Sequence, residues 1–254
     1  MWHFDSERRA AAHGEQLAEP SIGQERRETG RLEALSDGVF AIAMTLFILS
    51  IPIPTSDALS AHHESLRTAV LAGRHWLPFV TYVMSFVTVL VMWINHHYLF
   101  QFLGRVDRVF VIANGMLLLL VVFVNYPTAL VANFIGVNTS DGEFAAIAYN
   151  VTFVLVAICY NAMWLRISIH RRLLAADVDD AEVSTFTRQY LLGGPLYLAA
   201  LLLAFVNPGL SIALDAALAI YWAFTGRIVR TKRRYPAHHP AQATSDPAAS
   251  RAER

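Results

Sequence analysis

Ser36 and Asp37 stand at the mouth of an apolar run that ends at Pro52 and Pro54. A carboxylate at the start of a membrane-depth helix is costly unless donors satisfy it. Such a group can anchor one helix to another or carry a proton. Candidate donors lie in Met92-Trp-Ile-Asn-His-His-Tyr98, a polar cluster at the end of a second apolar run. Trp93 offers one N–H, Asn95 both donors and acceptors, and His96 and His97 ring N–H groups. Asn114, about two turns into a third run, completes the set. At 100° per residue, Ile42, Thr45, Leu46, Leu49 and Ile53 share one helix face, and Asp37 lies about 180° from Leu46. The first run therefore divides into an apolar stripe with one hydroxyl and, opposite it, a polar anchor. A narrow apolar stripe can line a passage that gates by dewetting. The same residues also fit blander roles: Ser36-Asp37 as a helix N-cap, His96 and His97 as water-facing interfacial residues, and the stripe as ordinary bundle core.

These residues need helices to hold them. The chain has 254 residues, 55% hydrophobic and 16% charged, against about 25% charged in soluble domains. The charge deficit falls in long apolar runs, which predicts an all-α integral membrane protein. Six segments reach the ~20 residues a bilayer crossing needs, near 33–53, 76–99, 108–134, 144–170, 187–206 and 209–229. Within 54–75 an outer turn and a short helix are expected, with Asp57 as its cap and Leu59, Leu66, Val70 and Leu71 as its apolar stripe. Basic residues cluster before the first span (Arg26, Arg27, Arg31), in alternate linkers (Arg105, Arg108; Arg171, Arg172, Arg188) and after the sixth span (Arg227 to Arg234). That pattern puts both termini in the cytoplasm. Arg67 and Arg74 run against it. Trp76, Tyr126, Tyr149 and Trp222 suit interfacial belts.

The organisation expected is a polar, disordered cytoplasmic tail over 1–30, a six-span domain over 31–230 and a basic, then disordered, cytoplasmic tail over 231–254. Residues 1–30 contain no apolar core of a cleavable leader. The net charge of +0 is segregated rather than patched, so no nucleic-acid partner is expected. Cys159 is the only cysteine, which excludes an intrachain disulfide. His62-His63 and His238-His239 are poorly spaced for a metal. With no metal triad, nucleophile elbow or phosphate loop, neither an enzyme nor a cofactor is expected.

Arg31, Ser36 and Asp37, followed by Ala41-Ile42 and Thr45-Leu46, resemble the Arg-x-x-x-Phe-Ser-Asp signature of the potassium channels of the transmembrane protein 175 type. Trp93, Asn95-His96-His97, the Arg105-Val-Asp-Arg108 linker, Asn114 and Tyr126-Pro127 are similar to that family too. The signature Phe is Leu35 here, which implies lost aromatic packing under the entrance. The resemblance implies six spans per chain, a homotetramer in the cell membrane, and span one of each subunit lining a pore for potassium. It implies no Thr-Val-Gly-Tyr-Gly filter, and this sequence has none. The constriction is then the residue matching Ile42, with Leu46 and Leu49 as further rings and Thr45 against a partly hydrated ion. Arg31, Ser36, Asp37, Trp93, Asn95, His96, His97 and Asn114 form the structural network around it.

A second reading from another class is a proton-coupled secondary transporter using Asp37 and a histidine partner. Asp215, early in span six, is its next candidate, or else a solvated acid near the outer face. Transporters carry Gly/Pro-broken helices at the midplane, whereas the Gly193-Gly194-Pro195 break falls near a span end.

Overall fold

The structure is a computed structural model describing residues 27–228 except 52, 62, 64, 72–75, 137–138 and 177. Most of the two expected tails, the basic run from residue 229 onward, His62 and Arg74 lie outside the described residues, as do the side chains of Val70, Leu71 and Trp76. The first helix, α1, spans residues 27–46. It is already helical inside the expected tail, because Thr29 is buried. A 3-10 turn, Phe47–Ser50, closes it, and Ile51 leaves the helical region at φ −77°, ψ 115°. Ile51 precedes Pro52, whose ring disfavours helical backbone at the preceding residue. The loop after α1 holds two short helices rather than one, α2 (Ser56–Ala61) and α3 (Leu66–Leu71), with His63 at φ 52° between them. Asp57 sits inside the first turn of α2 rather than capping it.

Six further helices follow: α4 (Trp76–Phe100), α5 (Arg108–Phe123), α6 (Asn125–Phe134), α7 (Thr139–Ile169), α8 (Asp180–Ala204) and α9 (Pro208–Ile228). The expected third span is thus two helices broken at Val124. Pro127 has no N–H to return to the carbonyl four residues back, which breaks the ladder there. At the Gly193-Gly194-Pro195 sequence the opposite holds, and α8 runs straight through it.

Among the described residues, four stretches are long and apolar enough to cross a membrane: Arg27–Leu49, Phe79–Phe100, Arg108–Phe134 and Ser140–Ile169. The apolar part of α9, Pro208–Phe224, is shorter. α8 carries Asp180, Glu182 and Arg188 in its first turns, which dilutes its apolar character. At 25 and 21 residues, α8 and α9 still reach about 37 and 31 Å. Their lengths are consistent with six spans.

α7 is the central post, packing against α5, α6, α8 and α9, while α9 also packs on α4. The core runs from Phe40 on α1 and Phe47 on the 3-10 turn through Leu99, Phe110 and Leu117 to Met163 and Ile167 on α7, all nearly inaccessible. At one end of the bundle the α4–α5 and α7–α8 linkers pair through a bridge between Leu103 and Leu174. Gly104 N–H donates to Leu173 O at 2.7 Å, and Ala175 N–H to Phe102 O at 2.9 Å. A Cβ on Gly104 would lie 2.8 Å from Leu174 O, so this close approach requires glycine.

Candidate functional site

α1 is bonded on one face and open on the other. On the bonded face Ser36 is fully buried, and its hydroxyl donates to Leu32 O, one turn back, at 2.9 Å. With its hydrogen committed there, Ser36 Oγ accepts from Asn114 Nδ2 at 3.0 Å. The Asn114 amide oxygen is left facing His96 Nε2 at 2.8 Å. Followed in that order, the chain assigns the His96 hydrogen to Nε2, an assignment read from the hydrogen-bond pattern. His96 is fully buried between the rings of Phe40 and Phe100, with centroids at 5.2 and 4.4 Å. Three helices, α1, α4 and α5, thus meet in one directed relay of hydrogen bonds.

One turn further along, Trp93 Nε1 donates to Asp37 Oδ1 at 2.8 Å. Trp93 stacks on His97 at 5.7 Å, and His97 Nδ1 meets Glu33 Oε1 at 3.3 Å. Asp37 hydrogen-bonds to neither histidine among the described contacts: His96 takes Asn114, His97 takes Glu33, and the neutral indole takes the carboxylate. The structure thus brings Ser36, Asp37, Trp93, His96 and Asn114 together, with His97 one step removed.

Asn95 and Arg31 are the exceptions. Asn95 Nδ2 donates to Val91 O within its own helix at 2.8 Å, and the side chain borders a cavity between α4, α7, α8 and α9. Adjacent helical residues point 100° apart, so Asn95 cannot share the face that sends His96 to α5. Arg31 is exposed, with no hydrogen bond or ion pair among the described residues. It lies about 140° around α1 from Ser36.

On the open face Ile42 is 58% exposed, Leu46 44% and Leu49 77%. Thr45 is exposed beside them and donates its hydroxyl hydrogen to Ile42 O at 2.9 Å, which leaves its oxygen lone pairs outward. Leu49 sits on the 3-10 turn, whose tighter winding moves it off the straight α-helical wheel. Ile53 lies beyond any helix and is exposed. Leu35, where the signature has Phe, is exposed as well. Its side chain packs little within its own chain.

Two interactions escaped the sequence reading. The Glu33–His97 pair had a signal, since Glu33 lies one turn before Asp37 on the same side of α1. The second is Asp107, which caps α5 by accepting from Phe110 N–H at 2.9 Å. Asp107 Oδ2 also takes both Arg166 Nη2 at 2.6 Å and Nε at 2.9 Å, tying the start of α5 to the end of α7. The Arg166 donors, aided by the Phe110 N–H, hold the Asp107 carboxyl below its ordinary range. A lone arginine late in an apolar run was the available signal. Of the belt aromatics, Tyr126 is exposed, but Tyr149 and Trp222 are half-buried and turn inward. Tyr149 packs on Phe153 at 4.5 Å and Trp222 presses on Gly193.

Comparison with known proteins places this arrangement. The family model of the endosomal/lysosomal potassium channel TMEM175 matches residues 31–124, the stretch that holds the relay. A potassium channel of Chamaesiphon minutus is 41% identical over 202 residues, which cover 78% of this chain and 95% of that protein. A potassium channel of Streptomyces collinus is 34% identical over 205 residues, 81% and 96% of the two chains. The crystal structure of a lysosomal potassium-selective channel TMEM175 homolog from Chamaesiphon minutus matches with a TM-score of 0.67 at 38% identity, covering 79% of this chain and 99% of that one. Alike in sequence along nearly the whole of these relatives, and alike in fold to the solved one, the chain belongs to the TMEM175 family of channels.

Proposed function

We propose that this protein is a potassium-selective channel of the cell membrane, in which α1 of each subunit of a homotetramer faces the central axis and Ile42 forms the constriction. The observation that carries the reading is the division of α1. Its anchored face is bonded to α4 and α5, while Ile42, Thr45, Leu46 and Leu49 on the other face stay exposed in the single chain. Those residues match the stripe that lines the pore in the family resemblance. Copies of Ile42 around an axis make a hydrophobic neck that excludes water when narrow and conducts when slightly dilated. Potassium holds its water less tightly than sodium, so an apolar neck disfavours sodium more. The Thr45 oxygen, one turn beyond, offers a polar contact to a partly hydrated ion. Leu46 and Leu49 form further apolar rings.

With both termini cytoplasmic, the Ser36–Asp37 anchor lies at the inner mouth. Asp37 fixes the helix and does not touch the ion. The proton-coupled transporter loses its central pair, because the partner of Asp37 is a tryptophan, which does not titrate. The test is a planar-bilayer recording of purified protein under potassium and sodium gradients. Unitary current steps with a potassium-favouring reversal potential are expected. Saturable flux without unitary steps would overturn the proposal.

A further inference from the structure

The cavity that Asn95 borders, between α4, α7, α8 and α9, contains about 590 Å³ of space, part of it open to the outside. Small-molecule sites span about 300–1,000 Å³. Its α4 and α7 walls fall inside Phe79–Phe100 and Ser140–Ile169, two of the membrane-crossing stretches. The cavity thus lies at membrane depth, where the surrounding solvent is hydrocarbon. Phe153, Tyr160, Tyr190, Tyr197 and Trp222 supply five aromatic rings to the wall. Trp222 reaches in because Gly193 carries no side chain: a Cβ there would lie 3.1 Å from the indole ring. Among the described residues, no acid, lysine or arginine lines the space. The buried acid of α9 lies elsewhere. Asp215 is 4% exposed rather than solvated, and it sits among Asn150, Tyr149 and Tyr197. Asn150 also donates to Ser211 Oγ at 2.9 Å.

The polar groups of the wall spend their hydrogens on the backbone. Thr88 donates its hydroxyl hydrogen to Met84 O at 2.8 Å, and Tyr160 donates to Met92 O at 2.6 Å. Asn95 Nδ2 and Asn161 Nδ2 each donate to the carbonyl one turn back, at 2.8 Å. What Asn95 and Asn161 still offer is a carboxamide oxygen each, and among the described residues nothing donates to either. An acyl chain would fill the space but bring no donor, leaving both acceptors dry at a cost. A charged guest would meet no counter-ion. An aromatic ring gains edge and face contacts with the wall rings, and one hydroxyl on it supplies a hydrogen to an asparagine oxygen. We propose that this cavity binds a small uncharged aromatic molecule bearing a hydroxyl, a phenol, drawn from the bilayer.

Bromine quenches indole fluorescence on contact, and Trp222 stands in the wall. Brominated probes therefore test the site on the full-length protein in lipid nanodiscs. The expected result is that para-bromophenol quenches a saturable part of the emission, at several-fold lower concentration than bromobenzene. Bromohexane should quench only in proportion to its concentration in the lipid. The saturable part should be lost in Trp222→Phe, which removes the reporter. It should also be lost in Ala219→Phe and in Ala157→Leu, which fill the space from α9 and from α7, so the test does not hang on one variant folding. Asn95→Leu combined with Asn161→Leu should erase the advantage of bromophenol over bromobenzene. Bromophenol quenching that never saturates, or that saturates equally in wild type and in a folded filling variant, would overturn the site. Saturation by bromohexane at the same concentration as bromophenol would overturn the ligand class.

Discussion

Asn114 on α5 bridges Ser36 on α1 and His96 on α4, donating to one at 3.0 Å and accepting from the other at 2.8 Å. All three are fully buried. The bridge has one workable direction, because the Ser36 hydrogen is committed to Leu32 O. Replacing Asn114 with Leu leaves the buried His96 ring N–H without a partner and takes from Ser36 the bond it accepts, while Ser36 still donates to Leu32 O. An orphaned buried donor costs about 1–3 kcal/mol. Asn114→Leu should therefore lower the thermal unfolding midpoint of detergent-solubilised protein sharply, and Ser36→Ala less so. The double variant should lose less than the sum of the two, because the bond they share can be lost once only.

Trp93 and Asp37 make the second tie between α1 and α4. Trp93→Phe keeps an aromatic surface against His97 and removes the only N–H that Asp37 accepts among the described contacts. A loss of about 1–3 kcal/mol is expected. Asp37→Asn keeps an oxygen acceptor for the indole and should cost less than Asp37→Ala. Size-exclusion chromatography of the three variants reads the consequence for assembly. Asp37→Ala should yield the least intact oligomer, with unitary conductance unchanged in whatever oligomer remains.

The Asp107–Arg166 pair gives a pH signature. Its carboxyl is held below the ordinary range, chiefly by the Arg166 donors. Such a group stabilises the fold above the unfolded carboxylate range, about pH 4. That contribution fades as pH falls through the lower folded value. The stability gap between wild type and Asp107→Ala should therefore be full at pH 7 and shrink on acidification below that range. Asp107→Asn can still cap α5 and loses only the ion pair, so it should fall between the two. Denaturation midpoints measured across pH check the order.

The anchoring of α1 was legible because few side chains at membrane depth can satisfy a carboxylate. Of Trp93, Asn95, His96, His97 and Asn114, the donors expected for Asp37, only Trp93 bonds to it among the described contacts, while Asn114 bonds to Ser36 and to His96. The split of α1 was legible because helical spacing separates Asp37 from Ile42 whatever the helix packs against. Asn95 was grouped with its neighbours in sequence, although 100° per residue sends it away from His96. Arg31 entered through the family signature alone, and it stands exposed on α1. Helix ends were less legible. The 3-10 turn at Phe47–Ser50 comes from Pro52, and the break at Val124 from Pro127, through steric and hydrogen-bond effects that an apolar count does not register. The Asp107–Arg166 tie and the Asn150–Ser211 bond join residues 59 and 61 positions apart. Only the tertiary path of α7 brings them together.

The account rests on the open face of α1, and Ile42 is its narrowest claim. Ile42→Asn replaces a branched apolar side chain with one that holds water, leaving the anchor on the opposite face untouched. The reversal potential of the variant, recorded with potassium on one side and sodium on the other, tests that claim most directly. The account predicts larger currents and a reversal potential moved toward zero relative to wild type. Currents and a reversal potential identical to wild type would contradict it.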